Sequence, residues 1–352
     1  GSSRACRGDP SGALRVTELP RRRARVLLPA LLLAVLLAGA AAMTLGSAGL
    51  GLRDLLAVLA REGSRPDTVI LLQIRLPRIL LAALVGMGLA VSGAVFQGVF
   101  RNPLAEPYIL GVSGGAALGV TVYSVSGAAA VLGAVGVPLA AFVGALAASM
   151  TVLFVGGMGR SSTTTLLLAG IAVGFFMSAV ISLLMFLNRD ALQRIILWTL
   201  GSFSAASYQD VAVLLPVVLL GSAVLLLFSR DLNVMVLGDE AAEGLGVPST
   251  RTRVLLLGIA TLVAAACVSV SGIIGFVGLV IPHILRIITG PDHRTLLPLA
   301  TFGGALFVLL ADTLARTMLA PSEIPVGIIT SMVGAPYFLY LLRSRKGRSY
   351  GI

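Results

Sequence analysis

Charge is scarce in this sequence. Only 12% of its 352 residues are Asp, Glu, Lys or Arg, against about 25% in ordinary globular chains. That is too little polar surface to solvate a soluble fold. Lysine occurs once, as Lys346 in the basic stretch 343–348. A nucleotide-binding P-loop needs a lysine behind a glycine-rich run to reach the terminal phosphates, so any ATP-driven work belongs to a different chain. Two histidines, His283 and His293, and two cysteines, Cys6 and Cys267, complete the soft ligands. They offer neither metal-ligand spacing nor a disulfide framework. No nucleophile–base set stands out either, so no catalytic residue, no metal site and no resident cofactor are expected.

What the chain has is apolar length. Hydrophobic residues make up 57% of it and its mean hydropathy is +1.00, the composition of a polytopic helical membrane protein. The formal charge of +11 raises the possibility of nucleic-acid binding. The basic residues, however, stand at the ends of apolar runs and not on a polar domain, which argues against it. The expected fold is all-α, with spans at 26–46, 76–99, 108–125, 137–158, 165–187, 211–228, 253–271, 275–289, 296–314 and 325–342. One ten-helix domain, 26–343, then lies between a disordered N-terminal tail, 1–25, and a short C-terminal tail, 344–352. Arg21, Arg22, Arg23 and Arg25 lead into a run long enough to stay as an anchor, unlike a cleavable signal. Around Ser271–Gly278 the pattern is broken by glycine, and such backbone is tolerated in a membrane only where protein or a water-filled cavity satisfies it.

The basic residues also orient the chain. With the N-terminus inside, 18 of the 26 lie on the inner side and 8 on the outer. Arg53, Arg61 and Arg65 of the outer set have Asp54, Glu62 and Asp67 beside them, as in a solvated loop. Arg75, Arg78 and Arg316 have fewer acids nearby in sequence; Asp312 and Glu323 are the candidates around Arg316.

The segment from Gln73 to Gly115 joins the two sides. Arg75 and Arg78 precede about 20 apolar residues, one bilayer span. The run ends in the turn Arg101-Asn102-Pro103-Leu104-Ala105-Glu106-Pro107, where Pro103 biases Asn102 away from helix. On the same inner side, Ser161 to Thr165 form a hydroxyl cluster at a helix start. The inner loop from Arg230 to Arg253 holds Asp239, Glu240 and Glu243, acids placed where a short helix's dipole favours them. Gly244, Gly246 and Pro248 then stop that helix. The outer loop from Asn188 to Asp210 is too long for a turn and is expected to hold a short interfacial helix near Trp198. Phe175, Phe176, Met177, Met185 and Phe186 in the fifth span fit packing or lipid contact better than a ligand path.

Taken in order, a set of motifs resembles the FecCD/BtuC-like permease family, the transmembrane subunits of type II ABC importers for cobalamin, haem or ferric siderophores. Its carriers are Ile74-Arg75-Leu76-Pro77-Arg78, Ser92-Gly93, Gln97, the turn Asn102 to Pro107, Leu110-Gly111-Val112-Ser113, Leu166 to Gly170, Leu237-Gly238, Leu245-Gly246, the run Gly275 to His283, and Gly334-Ala335-Pro336. The resemblance implies a homodimer, or a pseudodimer with a related chain, of ten-span subunits in a bacterial inner (cytoplasmic) membrane, with both termini cytoplasmic. Two cytoplasmic ABC ATPase subunits would bind ATP and Mg, and an extracytoplasmic binding protein would deliver cargo. By the same resemblance Arg75, Arg78 and Arg316 meet the binding protein. Asn102, Leu104, Thr163 and Thr164 form the cytoplasmic gate. Gly238, Asp239, Glu240, Ala241, Ala242, Glu243, Gly244, Leu245 and Gly246 couple to the ATPase. The cargo is expected to be an iron complex, with a slight preference for haem over a ferric siderophore because Met and Phe line the apolar runs, and cobalamin is the alternative. Outside the family, a channel or an intramembrane enzyme would account for the composition; terminal charges and the lack of an acid–base set argue against both.

Overall fold

The computed structural model describes residues 10–46, 49–157 and 163–345, and among them no strand occurs. An apolar chain in lipid must satisfy its own backbone, which helices do internally. Ten helices form the bundle: α1 (Pro10–Thr44), α2 (Leu76–Val99), α3 (Val112–Val125), α4 (Gly136–Val155), α5 (Thr163–Leu187), α6 (Tyr208–Leu227), α7 (Ser249–Ser271), α8 (Val277–Thr289), α9 (His293–Thr317) and α10 (Val326–Arg345). Seven contain a run long and apolar enough to cross a membrane; α3, α8 and α10 are the shorter apolar helices. Each corresponds to one of the ten expected spans. The N-terminal boundary differs: residues 10–25, expected within a disordered tail, continue α1 without a break. Cys6, Ser161, Ser162 and the residues after Arg345 lie outside the described residues.

Helix α2 is the hub. It packs against α6, α7, α8 and α9, and 83% of its apolar window is buried, against 22% for α5. Small residues make this possible, because helices in lipid associate by close backbone approach. A Cβ on Gly86 would stand 2.2 Å from the Gly304 carbonyl oxygen on α9, and one on Gly93 would stand 2.0 Å from the Gly278 carbonyl oxygen on α8. A second pair, α3 with α4, meets in the same way at Gly115 and Gly144. Helix α5 lies at the periphery, with Phe175, Phe176 and Phe186 exposed and Met177 buried.

The break between α7 and α8 spans Gly272–Phe276. Gly272 takes a left-handed φ of 70° to end α7, a conformation that glycine adopts without penalty. Protein satisfies the interrupted backbone. The Ser202 amide donates to the Ser271 carbonyl at 2.8 Å, the Tyr108 hydroxyl donates to the Ile274 carbonyl at 2.8 Å, and Gln97 Nε2 donates to the Leu279 carbonyl at 3.0 Å.

Connectors carry short helices. Leu52–Leu59 and Arg65–Thr68 precede a π-helical stretch, Val69–Arg75, that runs straight into α2. The expected interfacial helix is Leu192–Thr199. Two short helices, Ser229–Met235 and Asp239–Gly244, join α6 to α7.

Candidate functional site

Helix α2 has 24 residues, about 36 Å at 1.5 Å per residue, and the candidate residues gather at its two ends.

At its C-terminal end, Arg101 takes a left-handed φ of 50°, unusual for a residue with a side chain. The turn that follows is closed locally. Asn102 Oδ1 accepts the Leu104 amide at 3.0 Å, and the Ala105 amide donates to the Asn102 carbonyl at 3.0 Å. Asn102 and Leu104 are half-buried. Glu106 follows, and burial pushes its carboxyl up to about 7. A 3₁₀ turn, Pro107–Leu110, leads to α3. Gly170 of α5 lies against this turn; a Cβ there would stand 1.9 Å from the Ile109 carbonyl oxygen. That contact sets the first turn of α5 at the same end as Asn102. Thr164 is exposed there, and the side chain of Thr163 is outside the described residues.

The helix Asp239–Gly244 stands at this end too. Ala242 is fully buried beneath it, while Leu237 and Leu245 on either side are exposed, as are Glu240, Ala241, Glu243, Gly244 and Gly246. Gly238, with φ 126°, gives the chain the entry that a Cβ would disfavour. Asp239 is held from two directions. Arg253 of α7 places one nitrogen 2.8 Å from both carboxylate oxygens, and the Arg101 guanidinium bonds Oδ1. Arg101 Nε also donates to the Met235 carbonyl at 2.9 Å, at the end of the preceding short helix. Partial burial alone would raise the Asp239 carboxyl, but hydrogen bonding and charge from Arg253 and then Arg101 hold it below the usual range. Arg101 was not among the residues singled out from sequence; only its place beside Asn102 hinted at it.

A polar network backs the turn. Gln97 Oε1 accepts from Arg286 at 3.3 Å. Asn233 accepts the His293 backbone amide at 2.8 Å and donates to Asp292 at 2.7 Å, and its Oδ1 lies 2.8 Å from His293 Nδ1. His293 thus fixes the start of α9, and His283 meets the edge of Tyr337 at 6.5 Å between centroids. Both arrangements are structural. Among the described residues no group of three or more His, Cys, Asp or Glu is close enough to hold a metal.

At the other end of α2 the three expected arginines come together, and they are covered: Arg75, Arg78 and Arg316 are only 5%, 7% and 5% exposed. Arg78 is saturated. Its Nε and Nη2 bond Asp312 at 2.8–3.1 Å, and its Nη1 bonds both Glu323 oxygens at 2.8 and 3.0 Å. The two acids sought for Arg316 therefore serve Arg78 first, and Arg316 Nε lies 3.9 Å from Asp312. Arg75 and Arg316 instead donate to the Met43 and Ala42 carbonyls, which belong to the last turn of α1, where a cation complements the helix end. The cluster ties α1, α2 and α9 together. Arg53, Arg61, Glu62, Arg65 and Glu323 are among the groups exposed at this end.

Known proteins share this fold and much of its sequence. The solved structure described as a metal-chelate type ABC transporter in an inward-facing conformation superposes with a TM-score of 0.82 at 32% identity, covering 91% of this chain and 99% of that one. The cobalamin import system permease protein BtuC of Halobacterium salinarum is 48% identical over 81% of this chain and 76% of its own length. The hemin transport system permease protein HmuU of Yersinia pestis is 43% identical over 91% and 98%, and the iron(3+)-hydroxamate import system permease protein FhuG of Bacillus subtilis is 41% identical over 82% and 87%. The model of the FecCD transport family matches residues 31–344. With ten apolar helices in the right order and a near-complete superposition, the chain belongs to the FecCD transport family, the membrane-embedded permease subunits of ABC importers.

Proposed function

We propose that this chain forms, with a second copy of itself, the path through which a metal chelate enters the cytoplasm, driven by two separate ATPase subunits that bind ATP and Mg. The observation that carries the reading is the helix Asp239–Gly244. It is short, it is anchored by the buried Ala242, and it exposes Leu237 and Leu245 beside its acids. An exposed apolar pair on a polar connector is a docking surface, and this chain has no P-loop lysine of its own. The ATPases then sit at the Asn102 end, which is cytoplasmic, as are both termini in a bacterial inner membrane. The turn at Asn102 and Leu104, with Thr163 and Thr164 at the start of α5, closes the path on that side.

The binding protein delivers cargo at the Arg75 end. Arg78 is neutralised within the chain, so its role with Arg75 and Arg316 is to hold the rim on which the partner sits. The exposed charges of Arg61, Arg65 and Glu323 steer the encounter. The cargo is an organic complex of iron or cobalt: haem, a ferric siderophore or cobalamin. The slight preference for haem is dropped. The relatives named for cobalamin, hemin and iron hydroxamate are 48%, 43% and 41% identical, a spread that favours none of them.

Proteoliposomes containing the permease and its ATPase, supplied with loaded binding protein outside and ATP inside, test the reading. Uptake should require both. Ion conductance without ATP would instead identify a channel.

A further inference from the structure

We infer that Arg101 is the positioning residue through which the ATPase-docking helix moves the cytoplasmic gate. The inference rests on the coupling role proposed above for Asp239–Gly244. Arg101 is the residue immediately before Asn102, so any displacement of its backbone is a displacement of the gate turn. Its side chain reaches the coupling connector at two points: Nε to the Met235 carbonyl at 2.9 Å, and the guanidinium to Asp239, the first residue of the docking helix. A planar fork bound at two points fixes orientation as well as distance. The backbone at Arg101 is held in the left-handed region at φ 50°, a conformation that persists only where surrounding contacts over-determine it. Here the backbone is closed by the cap of α2 itself, in which the Arg101 amide donates to the Gly98 carbonyl at 3.2 Å and the Asn102 amide to the Gln97 carbonyl at 3.1 Å, and the side chain is held by the docking helix. A shift of the docking helix moves Asp239, and through the Arg101 side chain that movement pulls on the cap and on the turn that follows it.

Arg253 provides the internal contrast. It binds the same carboxylate, with 2.8 Å to both oxygens, but it stands in the first turns of α7, far along the chain from the turn at Asn102. Arg253 ties the docking helix to α7, whereas Arg101 ties it to the residue that begins the turn. Among the described residues these are the two arginines paired with Asp239.

The test uses the complete importer in proteoliposomes and reads cargo taken up per ATP hydrolysed. A photo-cross-linking residue at the exposed Glu240 reports in parallel whether the ATPase docks on the helix. Arg101→Gln should lower uptake per ATP by about tenfold, the scale of a typical coupling between sites, while cross-linking to the ATPase persists. Arg253→Gln should lower it less. Asp239→Asn leaves Arg101 in place and should uncouple in the same direction; the effect of the double variant should fall short of the product of the singles, as expected for one shared interaction. If Arg101→Gln transports with wild-type uptake per ATP while cross-linking persists, or if Arg253→Gln uncouples as strongly, the transmission role is overturned and the docking reading survives. If the wild-type importer gives no cross-link at Glu240, the docking reading fails and takes this inference with it.

Discussion

Arg78 receives two carboxylates at once, and this decides what its loss should do. Asp312 is only 2% exposed, so removing Arg78 leaves it to the longer 3.9 Å contact with Arg316, and breaking a buried pair costs about 3–5 kcal/mol. Arg78→Ala should therefore lower the unfolding temperature in detergent sharply, and adding Asp312→Ala should restore much of it; a double variant no better than the single would show that the pair is not what holds this corner. Glu106 is the second residue whose chemistry can be read directly. Burial pushes its folded carboxyl up to about 7, above the ordinary carboxylate range, so the folded chain binds the proton more tightly than the unfolded one. Its contribution is fully present below the ordinary carboxylate range and is lost as pH rises toward 7. Glu106→Gln should flatten the fall in unfolding temperature between pH 5 and pH 8, and an unaltered slope would rule out Glu106 as its source. The sequence identified Arg75, Arg78 and Arg316 as exceptions to the charge bias but could not pair them. Arg78 and Asp312 are 234 residues apart, and nothing local to either names the other.

Individual helices were far more legible. The limits of α2 follow directly from its punctuation: Pro77 in its first turn, where the missing N–H is harmless, and the Arg-Asn-Pro turn after its end. The early start of α1 was not legible, because a run of arginines with Pro20 reads as a tail when only hydropathy marks a span. The short helix Ser229–Met235 was missed for a related reason: seven residues are too few to show a period. The small residues of α2 were visible, but not which neighbours they admit. At Gly86 that neighbour is the α9 backbone, 2.2 Å from where a Cβ would stand. Gly86→Leu must push the two helices apart, and overpacking of this kind costs about 1–3 kcal/mol. The expected result is a lower unfolding temperature and reduced uptake. Gly174, with open space around the corresponding position, serves as the control: Gly174→Leu should have little effect on either. Equal loss from both variants would mean that the α2–α9 crossing is not specially tight.

At the scale of the whole molecule, the two candidate sites lie at opposite ends of one buried helix. Helix α2 is clamped along its length by α6, α7, α8 and α9, so it behaves as a stiff rod between an outer cluster that grips α1 and an inner turn that grips the docking helix. That separation predicts a division of labour. Leu245→Asp changes an exposed apolar side chain of the docking surface and should weaken association with the ATPase by roughly tenfold, the equivalent of about 1.4 kcal/mol, without changing affinity for the binding protein in the absence of nucleotide. Arg61→Glu with Arg65→Glu leaves the buried cluster intact and reverses exposed charge at the far end. It should slow binding-protein association, more so at low salt because exposed charges act through a screened field, and leave ATPase association unchanged. The two sets of variants are to be compared by measuring each partner's association with the same reconstituted permease. Crossed effects, in which the outer pair weakens the ATPase or Leu245→Asp weakens the binding protein without nucleotide, would place both partners on one face and reverse the orientation argued from the arginines. Separate effects would leave α2, with Arg101 at its inner end, as the element through which the two faces of the membrane communicate.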